Sequence, residues 1–140
     1  MSNFHATCVI VNNTGILLTG ASGSGKSDLA LRLMSEVDAL LVADDQVLLR
    51  SADNNRLIAA CPPSIAGLLE VRGIGIIRRP YRPETEIRAV FELVRDPALI
   101  ERLPEPRHIL INDISLPLIR LFPFEHSAVH KIVLACDEIR

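Results

Sequence analysis

Eight residues constrain this chain more than any others: Gly20-Ala21-Ser22-Gly23-Ser24-Gly25-Lys26-Ser27, which satisfy the pattern G-x-x-x-x-G-K-[ST]. An apolar run, Ile16–Thr19, leads into them. Leu29, Leu31, Leu33 and Met34 follow at mixed helical spacing, predicting a helix from Ser27 to about Glu36. A strand, a glycine turn and a helix in that order present a helix N-terminus, with its unpaired N–H groups, at the end of a sheet. Glycines let successive backbone N–H groups turn inward without a Cβ in the way. The chemistry that wants such a cradle is a polyphosphate. Lys26 would neutralise the β- and γ-phosphates, and the Ser27 hydroxyl would take one position on Mg²⁺. Gly20, Ala21, Ser22, Gly23, Ser24, Gly25, Lys26 and Ser27 are therefore assigned to a nucleoside triphosphate, taken as ATP, with Mg²⁺. No motif that reads the base is recognisable.

Around this loop the chain reads as one α/β domain over residues 1–140: a β-rich central sheet carrying the phosphate loop, with a few flanking helices. Ala6–Val11 and Ile16–Thr19 flank the turn residues Asn12, Asn13, Thr14 and Gly15, a hairpin. Ala39–Ala43 is a short strand. Gln46–Arg50 and Arg56–Ala60 flank the polar stretch Ser51–Asn55 as a second hairpin. Ser64 is placed to cap a helical turn over Ile65–Leu69. Glu70–Pro83, with two glycines, four arginines and two prolines, reads as an irregular functional loop. In Glu86–Val94, Ile87, Ala89, Phe91 and Leu93 alternate with polar residues, predicting a half-buried strand with those four on one face. His108–Ile111 and Ile114–Leu121 are further strands. Val129, Ile132, Val133 and Cys136 predict a helix from Glu125 to about Ile139.

Phosphoryl transfer also needs a carboxylate for the metal or the attacking group. Leu41-Val42-Ala43-Asp44-Asp45 supplies two acids at the end of a strand. Read alone, the pair is equally a turn or a metal site.

Three stretches taken together are more specific. His5 precedes the first hairpin and Gly20–Ser27 follows it. Val42-Ala43-Asp44-Asp45 comes next, and then Glu70-Val71-Arg72-Gly73-Ile74-Gly75-Ile76-Ile77. In this order and spacing they resemble the catalytic domain of the HPr kinase/phosphorylase family, over nearly the whole chain. The family phosphorylates a serine of HPr, the phosphocarrier protein of the sugar phosphotransferase system. The resemblance implies that His5 is an active-site histidine and that Asp44 takes the proton from the acceptor serine. It implies Glu70 as a second Mg²⁺ ligand beside Ser27, and Glu70, Val71, Arg72, Gly73, Ile74, Gly75, Ile76 and Ile77 as the signature loop. Arg102, in Glu101-Arg102-Leu103, matches a further catalytic arginine. A homohexamer and an HPr-type partner are implied as well.

Two departures stand out. The chain starts almost at His5, so it is expected to be a catalytic-domain-only form without the family's N-terminal domain. The family's loop before the last helix is rich in Arg, Pro and Gly and serves dephosphorylation. Here it reads Phe122-Pro123-Phe124-Glu125-His126-Ser127-Ala128, with no arginine and one acid. The phosphorylase half is expected to suffer.

Composition narrows the alternatives. A net charge of −2 does not point to nucleic acid or an anionic membrane as partner, although Arg78, Arg79 and Arg82 leave room for a local basic patch. No run is long enough to span a bilayer. The three cysteines form no C-x-x-C pair, which fits a reducing cytoplasm. With no Trp, one Tyr and four Phe, the core must be mostly aliphatic. Two other readings stay open: a small-molecule kinase or NTPase using the same loop, and an ATP-binding regulatory domain without transfer activity.

Overall fold

The computed structural model describes residues 2–139. The strands in chain order begin with β1 (Ser2–Phe4), β2 (Thr7–Val11) and β3 (Thr14–Thr19). Helix α1 (Lys26–Val37) follows, then β4 (Leu40–Ala43), β5 (Val47–Ala52) and β6 (Arg56–Ala60). β7 (Leu68–Val71) and β8 (Gly75–Arg78) precede the long strand β9 (Glu84–Leu93). β10 (Arg107–Ile111), β11 (Ile114–Leu121) and helix α2 (Ala128–Ile139) complete the chain.

Asn12 and Asn13 make the β2–β3 turn with φ of 49° and 63°, the positive pair that a two-residue hairpin loop requires and that Asn tolerates. The turn is shorter than the sequence suggests, because Thr14 and Gly15 already belong to β3. A Cβ on Gly15 would lie 2.2 Å from the carbonyl oxygen of Glu86. Glycine is there because a neighbouring strand comes too close for a side chain, a tertiary reason invisible in local propensity.

That neighbour is β9, the axis of the main sheet, whose order is β1-β5-β6-β9-β3-β2-β4. β3 runs parallel to β9 on one side. On the other side the sheet forks. The first half of β9 pairs antiparallel with β6, and the second half pairs parallel with β11, which carries β10 on its far edge. Opposite the step from Gly15 to Ile16, β9 advances from Ile87 to Ala89, so Arg88 is an extra residue. This bulge reverses the alternation. Ala89, Phe91 and Leu93 enter one core, while Ile87 enters the other with Val90. The predicted single apolar face of Glu86–Val94 is corrected accordingly: the strand is buried on both sides.

One core lies under α1 and α2, where Leu29, Leu33, Val129 and Ile132 meet Val9, Ile16, Leu18 and Phe91. The second is enclosed between the arms of the fork, from Leu49 and Leu57 on one arm to Ile114 and Leu116 on the other, over Cys8, Leu17 and Val42. The arms are tied at their rim, where Ser51 Oγ donates to the Asn112 carbonyl at 3.2 Å. Phe91 is the one aromatic in either buried cluster among the described residues, so the core is aliphatic as composition demanded. Its burial contributes on the order of 2 kcal/mol.

Three further expectations are corrected. Glu70–Pro83 is not irregular: β7 and β8 form a two-stranded antiparallel hairpin, from Leu68↔Arg78 to Val71↔Gly75. Leu69, Val71 and Ile77 pack on the α1-side core, and that anchoring outweighs the local glycine and arginine content. Ser64 caps nothing. It lies inside a 3₁₀ turn, Pro63–Ile65, whose flanking cap is Pro62 and has no side-chain cap bond. α2 begins at Ala128 rather than Glu125. No helix among the described residues is long and apolar enough to cross a membrane.

Candidate phosphate-transfer site

The loop Gly20–Gly25 leaves the end of β3 and turns into α1. Gly20, Gly23 and Gly25 take φ of 146°, 77° and 100°. Gly25 is the residue before the helix, left-handed and without a side-chain cap, so the first-turn N–H groups of α1 have no side-chain acceptor there. Lys26 is buried, and its Nζ donates to the carbonyls of Gly20 at 2.9 Å and Ala21 at 3.2 Å. Ser24 Oγ is buried with no hydrogen-bond partner. An uncapped helix start, a folded-back lysine and an orphaned hydroxyl on one loop fit an anion. The residues present therefore suit the polyphosphate that the sequence pattern implies.

Asp44, at the end of β4, joins the parts that the sequence could only suspect of meeting. Its Oδ1 accepts from Ser27 Oγ at 2.7 Å and from Thr7 Oγ1 at 3.0 Å. Its Oδ2 accepts from the backbone N–H of Glu70 at 3.3 Å. One buried carboxylate thus ties the phosphate loop, the first hairpin and the β7–β8 hairpin together. Asp45 is the exposed acid of the pair, and His5 Nε2 lies 2.6 Å from its Oδ1. His5 therefore reaches the site through Asp45 rather than by lining it.

The resulting cleft, about 640 Å³, is lined by Ser22, Gly23, Gly25, Lys26, Ser27, Asp28, Leu31, Asp44, Asp45, Glu70, Val71, Arg72 and Phe124. Glu70 is exposed on it and Asp44 is buried in its lining. These acids number too few for a metal cage of protein ligands alone, and among the described residues no group of three or more His, Cys, Asp or Glu converges. A Mg²⁺ ion here would have to keep waters and share substrate phosphates with one or two carboxylates.

Of the signature residues, Glu70, Val71 and Arg72 reach the cleft, while Gly73, Ile74, Gly75, Ile76 and Ile77 form the turn and return strand of the hairpin beside it. Arg102 is not among the cleft-lining residues. It lies in the exposed segment before β10, whose neighbours line a separate apolar hollow of about 330 Å³ against β10 and β11. The arginine that does reach the phosphate loop is Arg95, just beyond β9. Its Nη2 donates to the Ser22 carbonyl at 2.7 Å, and it stands 2.7 Å from where a Gly23 Cβ would be. Sequence reasoning missed Arg95 because it is separated from the loop by 73 residues and belongs to no motif.

The loop before α2 also carries more positive charge nearby than its own residues suggest. Lys131 pairs with Glu125, and Arg32 from α1 donates to the Pro123 carbonyl at 2.6 Å while pairing with Asp28. The cysteines take no part. Burial, followed by the nearby Cys61, pushes the Cys8 thiol far above its usual range. Burial also raises Cys61, against a lowering backbone hydrogen bond from Gly67.

Fold and loop together define an α/β domain in which a strand-end glycine loop feeds a helix and a buried aspartate faces it. The chain belongs to the family of the HPr serine kinase C-terminal domain, whose model matches residues 1–116. It is 38% identical over 100 residues to the HPr kinase/phosphorylase of Lactobacillus acidophilus, covering 66% of this chain and 31% of that protein. It is 48% identical over 73 residues to the HPr kinase/phosphorylase of Geobacillus thermodenitrificans, covering 52% of this chain and 23% of that protein. These matches span less than a third of the curated relatives' length. The solved Hpr(Ser) kinase/phosphatase from Coxiella burnetii has the same fold, with a TM-score of 0.85 and 28% identity over 99% of this chain and 95% of that one.

Proposed function

We propose that this chain is a Mg²⁺- and ATP-dependent kinase that phosphorylates a serine of an HPr-type phosphocarrier protein. The observation that carries the reading is the Asp44 carboxylate, hydrogen-bonded at once to Ser27 of the phosphate loop and to the Glu70 amide of the signature hairpin. A triphosphate held at Lys26 and Ser27 would have its terminal group beside that carboxylate.

Phosphoryl transfer depends on position and charge neutralisation more than on covalent help from the protein. The loop N–H groups and Lys26 hold the triphosphate and spread the developing charge. Ser27 and Glu70 are the residues that would hold Mg²⁺, which when bound offsets charge on the β- and γ-phosphates. Asp44 accepts the proton of the incoming serine hydroxyl. The serine oxygen bonds to the γ-phosphorus as the bond to the β–γ bridging oxygen breaks, and ADP leaves with the charge. A serine on a protein cannot enter a deep pocket, and the exposed β7–β8 hairpin at the cleft's rim, with Arg72, Ile74 and Ile76, is the docking edge. Such a kinase works in the cytoplasm beside its acceptor.

The test is incubation with γ-labelled ATP, Mg²⁺ and purified HPr-type proteins, followed by mapping of the labelled residue. Label on one acceptor serine is expected, and Lys26→Ala should nearly abolish it by removing the cation beside the β- and γ-phosphates. Rapid ATP hydrolysis with no acceptor labelled would instead assign a small-molecule kinase or NTPase. Nucleotide binding with no turnover would assign a regulatory domain.

A further inference from the structure

Part of the cleft lining has no role in phosphoryl transfer. Asp44, Asp45, Glu70 and Arg72 are assigned to the metal and the acceptor, and Ser22–Ser27 to the phosphates. Besides Val71, which packs on the core, the lining also includes Asp28, Leu31 and Phe124. Leu31 lies one helical turn beyond Ser27, on the same side of α1. The Asp28 carboxylate, which would repel a nucleotide, is already paired with Arg32 at 3.2 Å.

Phe124 is unusual in being both exposed and held. It is 56% exposed. Yet Arg32 pins the preceding carbonyl at 2.6 Å, and Phe122 meets the ring edge-on with centroids 5.6 Å apart. The ring also lies against the loop, its Cε1 3.3 Å from the position of a Cβ on Gly25. Fixing an aromatic ring in advance removes most of the ordering cost of using it as a contact. A ring that serves only the core would be turned inward, as Phe91 is.

We propose that Phe124, on the same cleft as Leu31, forms its nucleoside end, and that its ring is the stacking platform for the base of the bound nucleotide. The inference rests on the nucleotide reading of the phosphate loop. Stacking on an aromatic face needs no hydrogen-bond readout of the base, because every base has a π-face. That accounts for a nucleotide cleft whose sequence carries no base-reading motif.

Calorimetric titration with Mg²⁺–ATP and with Mg²⁺–tripolyphosphate separates the two readings, because only ATP has a base. Phe124→Ala should weaken ATP binding about tenfold, the scale of one base–aromatic stack, and leave tripolyphosphate binding within about twofold. Phe124→Tyr should restore ATP binding, which a merely altered loop would not explain. ATP binding unchanged in Phe124→Ala would overturn the proposal. An equal change for both ligands, or tighter tripolyphosphate binding, would also overturn it and make the ring a cover over the phosphate loop. Binding of neither ligand by the unaltered protein would sink the nucleotide reading itself. Thermal melting of each variant, matched to the parent, confirms that the comparison is between folded proteins.

Discussion

Asp44 offers about four lone-pair directions, as any carboxylate does. Ser27, Thr7 and the Glu70 amide take three of them, two on Oδ1 and one on Oδ2, leaving a place on Oδ2 for an acceptor hydroxyl. Asp44→Asn keeps the shape but loses the proton-accepting charge. Serine phosphorylation should fall by roughly a hundredfold or more, the usual scale for a positioned base, while Mg²⁺–ATP affinity stays within a few-fold. A transfer assay paired with calorimetry decides. If binding collapses with transfer, Asp44 acts mainly by holding the metal and loop. Arg95 works differently, from outside the nest, by gripping the Ser22 carbonyl. Arg95→Met should weaken ATP and tripolyphosphate alike, by about threefold given its exposure, with partial rescue in Arg95→Lys. A loss confined to catalytic rate would refute this positioning role. Gly20–Ser27 was legible as a loop because its chemistry is contiguous in sequence. Arg95 was not, because its partner is a backbone carbonyl, and any arginine can reach one.

The β7–β8 hairpin shows how an element can hide. Its inward residues Leu69, Val71 and Ile77 reach the core, but Gly73, Gly75 and the arginines around them look like loop when read locally. Outward, Ile74 and Ile76 are 77% and 70% exposed, beside Arg72 at the cleft. Large apolar side chains left on a hairpin tip next to a site suggest contact with a partner. Ile74→Asp with Ile76→Asp should raise the KM for the acceptor protein at least tenfold and leave Mg²⁺–ATP affinity unchanged, as measured by steady-state kinetics and calorimetry. An unchanged KM would move the docking edge elsewhere. β1 was missed for another reason: three residues carry no periodicity, and Ser2–Phe4 is a strand only because β5 lies beside it, from Ser2↔Leu49 to Phe4↔Val47.

Across the whole molecule, the direction of the proposed phosphoryl transfer would depend on how many cations meet at the cleft. Phosphorolysis would place a phosphoserine and a free phosphate side by side, and two anions need extra positive charge. The loop before α2 has no arginine of its own. Lys131 offsets Glu125, and the charge of Arg32 is offset by Asp28 while one Nη2 hydrogen goes to the Pro123 carbonyl. Phosphoserine-HPr supplied with millimolar phosphate should therefore release pyrophosphate far more slowly than the forward reaction runs. Comparable rates would show that another part of the chain holds the second anion. The sequence by itself determined the glycine loop between β3 and α1, the helix after it, the first two hairpins and the aliphatic character of the core. Each of these depends on residue type at short spacing: glycines, a lysine, Asn-Asn turns, alternating aliphatics. It did not determine the fork in the sheet, the face on which Ile87 lies, or which arginine touches the loop. Those follow from β9 pairing with three strands at once. Such pairing sets register, bulge and burial through contacts between residues far apart in the chain, where local preference has no say.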